Sequence, residues 1–157
     1  MKEKQIRWFI VSAGVIFSVT ALAKLVSAAG DARILNLEDP LLGLKNRHVM
    51  LGVGALEAGL AGFLLFGRNC WFQLSLTAWM ASNFLVYRLG LWWANAPKPC
   101  GCLGTVTDAL PFSPRTVDYG MKGMLAYLLI GSFALITMLM RKQKPDAPEA
   151  ADSEATV

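Results

Sequence analysis

Charge is scarce in this chain. Asp, Glu, Lys and Arg make up 17% of its 157 residues, where a soluble domain carries about a quarter. Hydrophobic residues make up 55% and gather in long blocks, which excludes an ordinary water-soluble domain and points to a membrane protein. Histidine occurs once and cysteine three times, too few for a zinc framework of His and Cys ligands. No internal repeat at solenoid periods is visible. The net charge of +4 is no sign of nucleic acid, because the basic residues flank the apolar blocks, where membrane orientation requires them. The expected partner is the lipid bilayer.

Four apolar stretches are long enough to cross ~30 Å of hydrocarbon at ~1.5 Å per helical residue. They run over about 8–29, 49–66, 71–93 and 120–140. The fold class expected is therefore all-α: a polytopic membrane protein with a four-helix transmembrane bundle in residues 1–142. The Pro- and Ala-rich acidic tail, 143–157, lacks apolar periodicity and reads as disordered and cytoplasmic. Trp8, Trp71, Trp92, Trp93 and Tyr119 stand at span ends, as an interfacial aromatic belt does. Asp39 with Pro40, and Ser113 with Pro114, read as N-cap and first helical residue, with Asp118 near the positive end of the last helix dipole. The first stretch exceeds the usual apolar core of a signal peptide and is interrupted by Lys24, so a retained span is expected.

Orientation follows from the basic residues. Lys2, Lys4 and Arg7, then Arg68, then Arg141, Lys142 and Lys144 fall on one side, giving both termini inside a cell inner membrane. The opposite side carries Arg33, Lys45, Arg47, Lys98 and Arg115, a modest bias. This topology puts the stretch "PKPCGCLG" outside and Cys70 inside.

An outside loop is an oxidising place where neighbouring thiols pair. Cys100 and Cys102 then have each other, or a thiol of another protein, as partner. As a staple the pair is poor, since closing so short a loop removes under ~2 kcal/mol of chain entropy. Gly101 permits the bend such a ring needs. A strained, exposed disulfide exchanges readily, and Lys98 favours the thiolate at Cys100. Redox exchange leads on these grounds; an inert pair and a soft-metal site stay open, although no nearby His or Met completes the latter.

Three ionisable residues fall inside the spans: Lys24, Glu57 and Arg88. Each costs at least ~2.5 kcal/mol at a bilayer centre unless it is paired, wetted or able to snorkel. All lie in the outer half, on the side of the cysteines. Two arrangements fit. In the plainer one, Lys24 and Arg88 snorkel to headgroups and Glu57 is neutral or paired. In the sharper one the three form a polar cluster beneath the cysteine loop, with Phe84, Tyr87 and Trp92 as aromatic walls. Such a cluster could line a cofactor pocket or carry a small molecule. His48, at the outer end of the second span, reads as a solvated residue rather than a proton carrier. Small residues at Ala55/Gly59 and Ala58/Gly62 would let another helix approach closely, within a compact bundle or in a homodimer.

The Lys of "TALAKL", the second span "LGVGALEAGLAGFLL" and "YR" before "PCGCLG" together resemble the MauE/DoxX-like membrane proteins, the MauE branch above all. The resemblance covers about residues 6–140 and implies a four-helix redox-associated protein. It implies work with a periplasmic thioredoxin-like partner in forming disulfides during maturation of methylamine dehydrogenase. The bundle also looks like the cores of vitamin K epoxide reductase and other quinone-linked thiol oxidases. A quinone is thus a conceivable acceptor, although this chain lacks their Cys-x-x-Cys and its sequence requires no cofactor. Cys100 and Cys102 match the family motif, with Lys24, Glu57 and Arg88 as looser matches. A non-enzymatic assembly subunit is the alternative the same family implies.

Overall fold

The computed structural model of the chain describes residues 3–30, 33–94 and 114–142. Their regular structure is four long helices: α1 (Glu3–Ala29), α2 (Asn46–Phe66), α3 (Cys70–Trp93) and α4 (Pro114–Lys142). A short 3-10 turn, Arg33–Asn36, follows α1, and no strand occurs among the described residues. Helices α1, α2 and α4 are long and apolar enough to cross a membrane. Helix α3 is long enough, at about 36 Å for its 24 residues. It is not among the three that also meet the apolar requirement, because Gln73, Asn83 and Arg88 and several tryptophans dilute its aliphatic residues.

The helix ends follow local chemistry. Asn69 caps α3, its Oδ1 accepting from the Phe72 N–H at 3.4 Å. Pro114 opens α4 at the first helical position, where its missing N–H costs nothing. The residues at 67–69 make the tight turn expected between α2 and α3. There Gln73, 3% exposed, sends Nε2 back to the carbonyls of Phe63 (3.1 Å), Leu64 (3.0 Å) and Gly67 (3.1 Å). They lie at the end of α2 and in the turn after it, where carbonyls run out of intrahelical donors; that of Phe63 also accepts from the Gly67 N–H at 2.8 Å. Replacing Gln73 by Leu should destabilise the fold by about 1–3 kcal/mol, the cost of buried acceptors left unmade. Unfolding of the two proteins in mixed micelles would measure it.

One expectation fails at Asp39. The sequence predicts a helix beginning at Pro40, but the chain forms a tight hairpin over 38–45 instead. The carboxylate does cap: Oδ1 accepts from the Leu41 and Leu42 N–H groups at 2.9 and 3.0 Å. The turn then closes, because Gly43 takes φ of +63°, the left-handed region open to glycine. Gly43 N–H donates to the Asp39 carbonyl at 2.9 Å, and Asp39 N–H to that of Leu44 at 2.7 Å.

Packing divides the bundle into two halves. Near the N-terminus and the 67–69 turn, Phe9, Ile10, Ala13 and Phe17 meet Ala61, Leu64, Leu74, Met80, Ala81 and Leu128 in one apolar core drawn from all four helices. Cys70, half-buried, lies against it. The opposite end, where α1 and α3 finish and α2 and α4 begin, has a smaller apolar cluster of Ala28, Leu35 and Met50 and is further held by polar contacts. The small-residue pattern divides otherwise than the sequence suggests. Gly54 faces α1, where an added Cβ would stand 3.2 Å from Leu25, whereas Gly52, Gly59 and Gly62 face open space. The Ala55/Gly59 stripe is therefore not the seam of the bundle. It borders an open apolar groove of about 310 Å³ between α2 and α3, lined by Leu60, Phe63, Leu76 and Trp79 among others.

Candidate functional site

Lys24 sits on the last turns of α1, five residues before Ala29, so about 7.5 Å from the helix end. It does not snorkel. Its side chain turns inward, and its Nζ donates to both Glu57 oxygens, at 2.7 and 2.8 Å. Lys24 is 6% exposed and Glu57 1%. The close approach of α1 and α2 at Gly54 brings the two side chains into line. Phe84 of α3 completes the ammonium's surroundings, with its ring centroid 5.5 Å from Nζ. Thr20, also buried, donates its hydroxyl to the Phe17 carbonyl at 3.2 Å. A charge pair so enclosed is strengthened by low dielectric, and removal of either member strands the other.

Arg88 lies outside this pair. Its guanidinium reaches across to Asp118 on α4, which also accepts from Lys122 at 2.7 Å. The three-residue cluster that depth along the helices suggests is therefore two separate ion pairs, one joining α1 to α2 and one joining α3 to α4. The physical reason is reach: Arg88 and Asp118 stand at facing helix ends, partly exposed, where neither charge is fully desolvated.

The neighbouring residue on α3, Tyr87, goes the other way. Its hydroxyl donates to Asp39 Oδ2, fastening the α1–α2 hairpin to α3. Asp39 is itself 2% exposed. Arg47, at the start of α2, adds a bond of 2.6 Å to the Gly30 carbonyl at the end of α1. The Tyr87–Asp39 bond escapes sequence reasoning, since nothing local to either residue signals it. Of the expected aromatic walls, Phe84 faces Lys24, Tyr87 faces Asp39, and Trp92 is exposed. His48, at the start of α2, is exposed and takes no part in either ion pair.

Cys100 and Cys102, with Lys98 and Gly101, lie outside the described residues. They belong to the stretch that joins Ala94, which caps α3, to Pro114, which opens α4. Both attachment points are at the polar end of the bundle, the end that holds Lys24–Glu57, Tyr87–Asp39 and Arg88–Asp118. No group of three or more His, Cys, Asp or Glu side chains suited to a metal ion occurs among the described residues.

No curated protein and no solved structure matches the chain. The model of the family described as methylamine utilisation protein MauE does match, over residues 3–140. That match takes in all four helices and the connection bearing the two cysteines. The chain belongs to the MauE family, and is a multi-pass membrane protein with a role in methylamine utilisation.

Proposed function

We propose that the protein is a thiol–disulfide exchange component of the cell inner membrane, acting through Cys100 and Cys102 on a periplasmic thioredoxin-like protein. The reading is supported above all by the position of both cysteines, in the connection between α3 and α4 at the bundle's polar end. In this reading α3 is the third of four spans and both termini are cytoplasmic. On this reading α2 ends and α4 begins on opposite sides of the membrane, and α3, 24 residues long, crosses between them. Its polar side chains are satisfied inwardly, Gln73 at α2 and Arg88 at Asp118, which lowers the cost of doing so. Residues 143–157 form the cytoplasmic tail.

The exchange balances without a further reagent. A Cys100 thiolate attacks the partner's disulfide, one partner sulfur leaves as thiolate, and a mixed disulfide forms. Cys102 then attacks Cys100, releasing the partner as a dithiol and leaving the Cys100–Cys102 disulfide. Run backwards, the same steps oxidise the partner. Lys98 favours the thiolate and Gly101 allows the small ring to close. Lys24–Glu57 and Arg88–Asp118 support the site by fixing the helix ends around it. A carrier function for the polar residues is less well supported, since both Glu57 oxygens are already bonded to Lys24 and Arg88 is engaged elsewhere. A quinone as final acceptor, and a homodimer through the open Gly59 face, belong to the same proposal and rest on less.

Labelling intact cells with a membrane-impermeant maleimide tests the reading. Cys100 and Cys102 should label only after mild reduction, as an outside disulfide does. Labelling without reduction would favour a metal site or a resting dithiol. Labelling only from the cytoplasmic side would invert the topology and remove the oxidising compartment on which the proposal depends.

A further inference from the structure

The hairpin at 37–45 combines three properties that seldom meet in a loop exposed to water. First, it is leucine-rich on its outside: Leu37, Leu41, Leu42 and Leu44 are 61, 40, 54 and 54% exposed. Second, it bonds the amides of its own tip. Between Asp39 and Gly43 every N–H is bonded inside the hairpin, to the Leu44 carbonyl, to Asp39 Oδ1 twice, or to the Asp39 carbonyl, and Pro40 has none to offer. Below it, Asn46 N–H donates to the Leu37 carbonyl at 2.9 Å. Third, its acidic residue Asp39 is hidden, bonded to Tyr87 and 2% exposed. A turn in water needs none of this, because water would bond the amides. Bonded tip amides and a hidden carboxylate lower the cost of placing the segment in a low-dielectric layer.

Its depth is set by its neighbours. Leu44 stands two residues before Asn46, where α2 starts. Leu41 packs on Gly90 of α3, whose Cβ position would be 3.0 Å from Leu41 Cδ1. Trp92 and Trp93, 79 and 88% exposed, follow on the same helix end, and exposed tryptophans at a span end mark the membrane interface. On α1, which is long and apolar enough to cross a membrane, Leu22 and Val26 are likewise 64 and 58% exposed. Glu38 and Lys45, paired through their backbones at the hairpin's base and exposed, can stay among headgroups while the leucines point into the acyl boundary.

We propose that residues 37–45 form a rigid interfacial anchor, with the leucines inserted into the upper acyl region of the leaflet on that side of the membrane. The anchor fixes the depth of α1 and α2 and, through Asp39–Tyr87, that of α3. The occupant of the leucine face is lipid, since Leu41 packs on Gly90, within one turn of the exposed Trp92 and Trp93 at the end of a helix of membrane length.

The test places an environment-sensitive dansyl amino acid at Leu42 in the full chain, reconstituted in phosphatidylethanolamine–phosphatidylglycerol vesicles. Some vesicles carry a phosphatidylcholine with a nitroxide high on its acyl chain, and iodide is supplied on both sides of the bilayer. A blue-shifted probe quenched by the shallow nitroxide, with loss of iodide quenching, is the expected result. Quenching by iodide but not by nitroxide would put the hairpin in water and overturn the proposal. Shielding from both quenchers would mean that protein covers the leucines, and would overturn it equally. A second probe at Leu44 keeps the test decisive if the Leu42 variant does not fold.

Discussion

Replacing Lys24 by Met, with Glu57 left in place, should destabilise the folded protein by roughly 3–5 kcal/mol, the range for stranding one member of a buried pair. Glu57→Gln should cost less, since the amide oxygen still accepts from Nζ and the ammonium keeps its contact with the Phe84 ring. The double variant Lys24→Met/Glu57→Met should recover most of the loss, because hydrophobic replacement of a whole buried pair is often neutral or stabilising. With Glu57→Met as the second single variant of the cycle, a coupling of up to about 3 kcal/mol between the sites is therefore expected. Steric trapping or SDS unfolding in bicelles reads these differences directly. Additive single effects, with no recovery in the double variant, would mean the pair is not the closed contact its 2.7 Å separation indicates. The pair also bears on α1: if α1 were removed as a signal peptide, Glu57 would be left buried with its cation gone.

How much of this is legible in the sequence differs by residue, for physical reasons. The long helices are, because unbroken aliphatic runs of membrane length have little use outside a bilayer, and the observed helices exceed the expected ranges only at their ends. Lys24 and Glu57 can be brought to the same depth by counting along antiparallel helices, and they do meet. Arg88 can be given its depth but not its direction, because a helix position fixes height more firmly than azimuth. Its partner, Asp118, has a sufficient local reason in the helix dipole, which hides the long-range one. Asp39 is ambiguous for a subtler reason. Asp followed by Pro offers the same carboxylate to the same two N–H groups at a helix start and in a turn, so the local chemistry does not discriminate. Gly43 with its positive φ closes the turn, and Tyr87, far along the chain, fastens it. A long-range bond of that kind leaves no trace in local sequence. The small residues of α2 show the same limit: Gly54 meets α1 while Gly59 does not, and composition alone ranks them equally.

Single Cys→Ser changes at the two thiols should have the largest effect on function and should differ from each other. On the proposed exchange, Lys98 is nearest in sequence to Cys100, which assigns attack to Cys100 and resolution to Cys102. Cys102→Ser should then accumulate a mixed disulfide between Cys100 and the thioredoxin-like partner, visible as a larger species that reduction removes. Cys100→Ser should trap little, since the remaining thiol lacks the adjacent cation. Both should abolish growth on methylamine as carbon or nitrogen source where that growth depends on this protein. The two readouts separate the rival roles. An assembly subunit would support growth with both cysteines changed to Ala, because its contacts do not run through sulfur. A trapped complex with unchanged growth would show that exchange occurs but is not what methylamine utilisation draws on. Loss of growth with the protein still inserted and stable, together with trapping confined to Cys102→Ser, is the pattern that only an ordered attack-and-resolve pair produces.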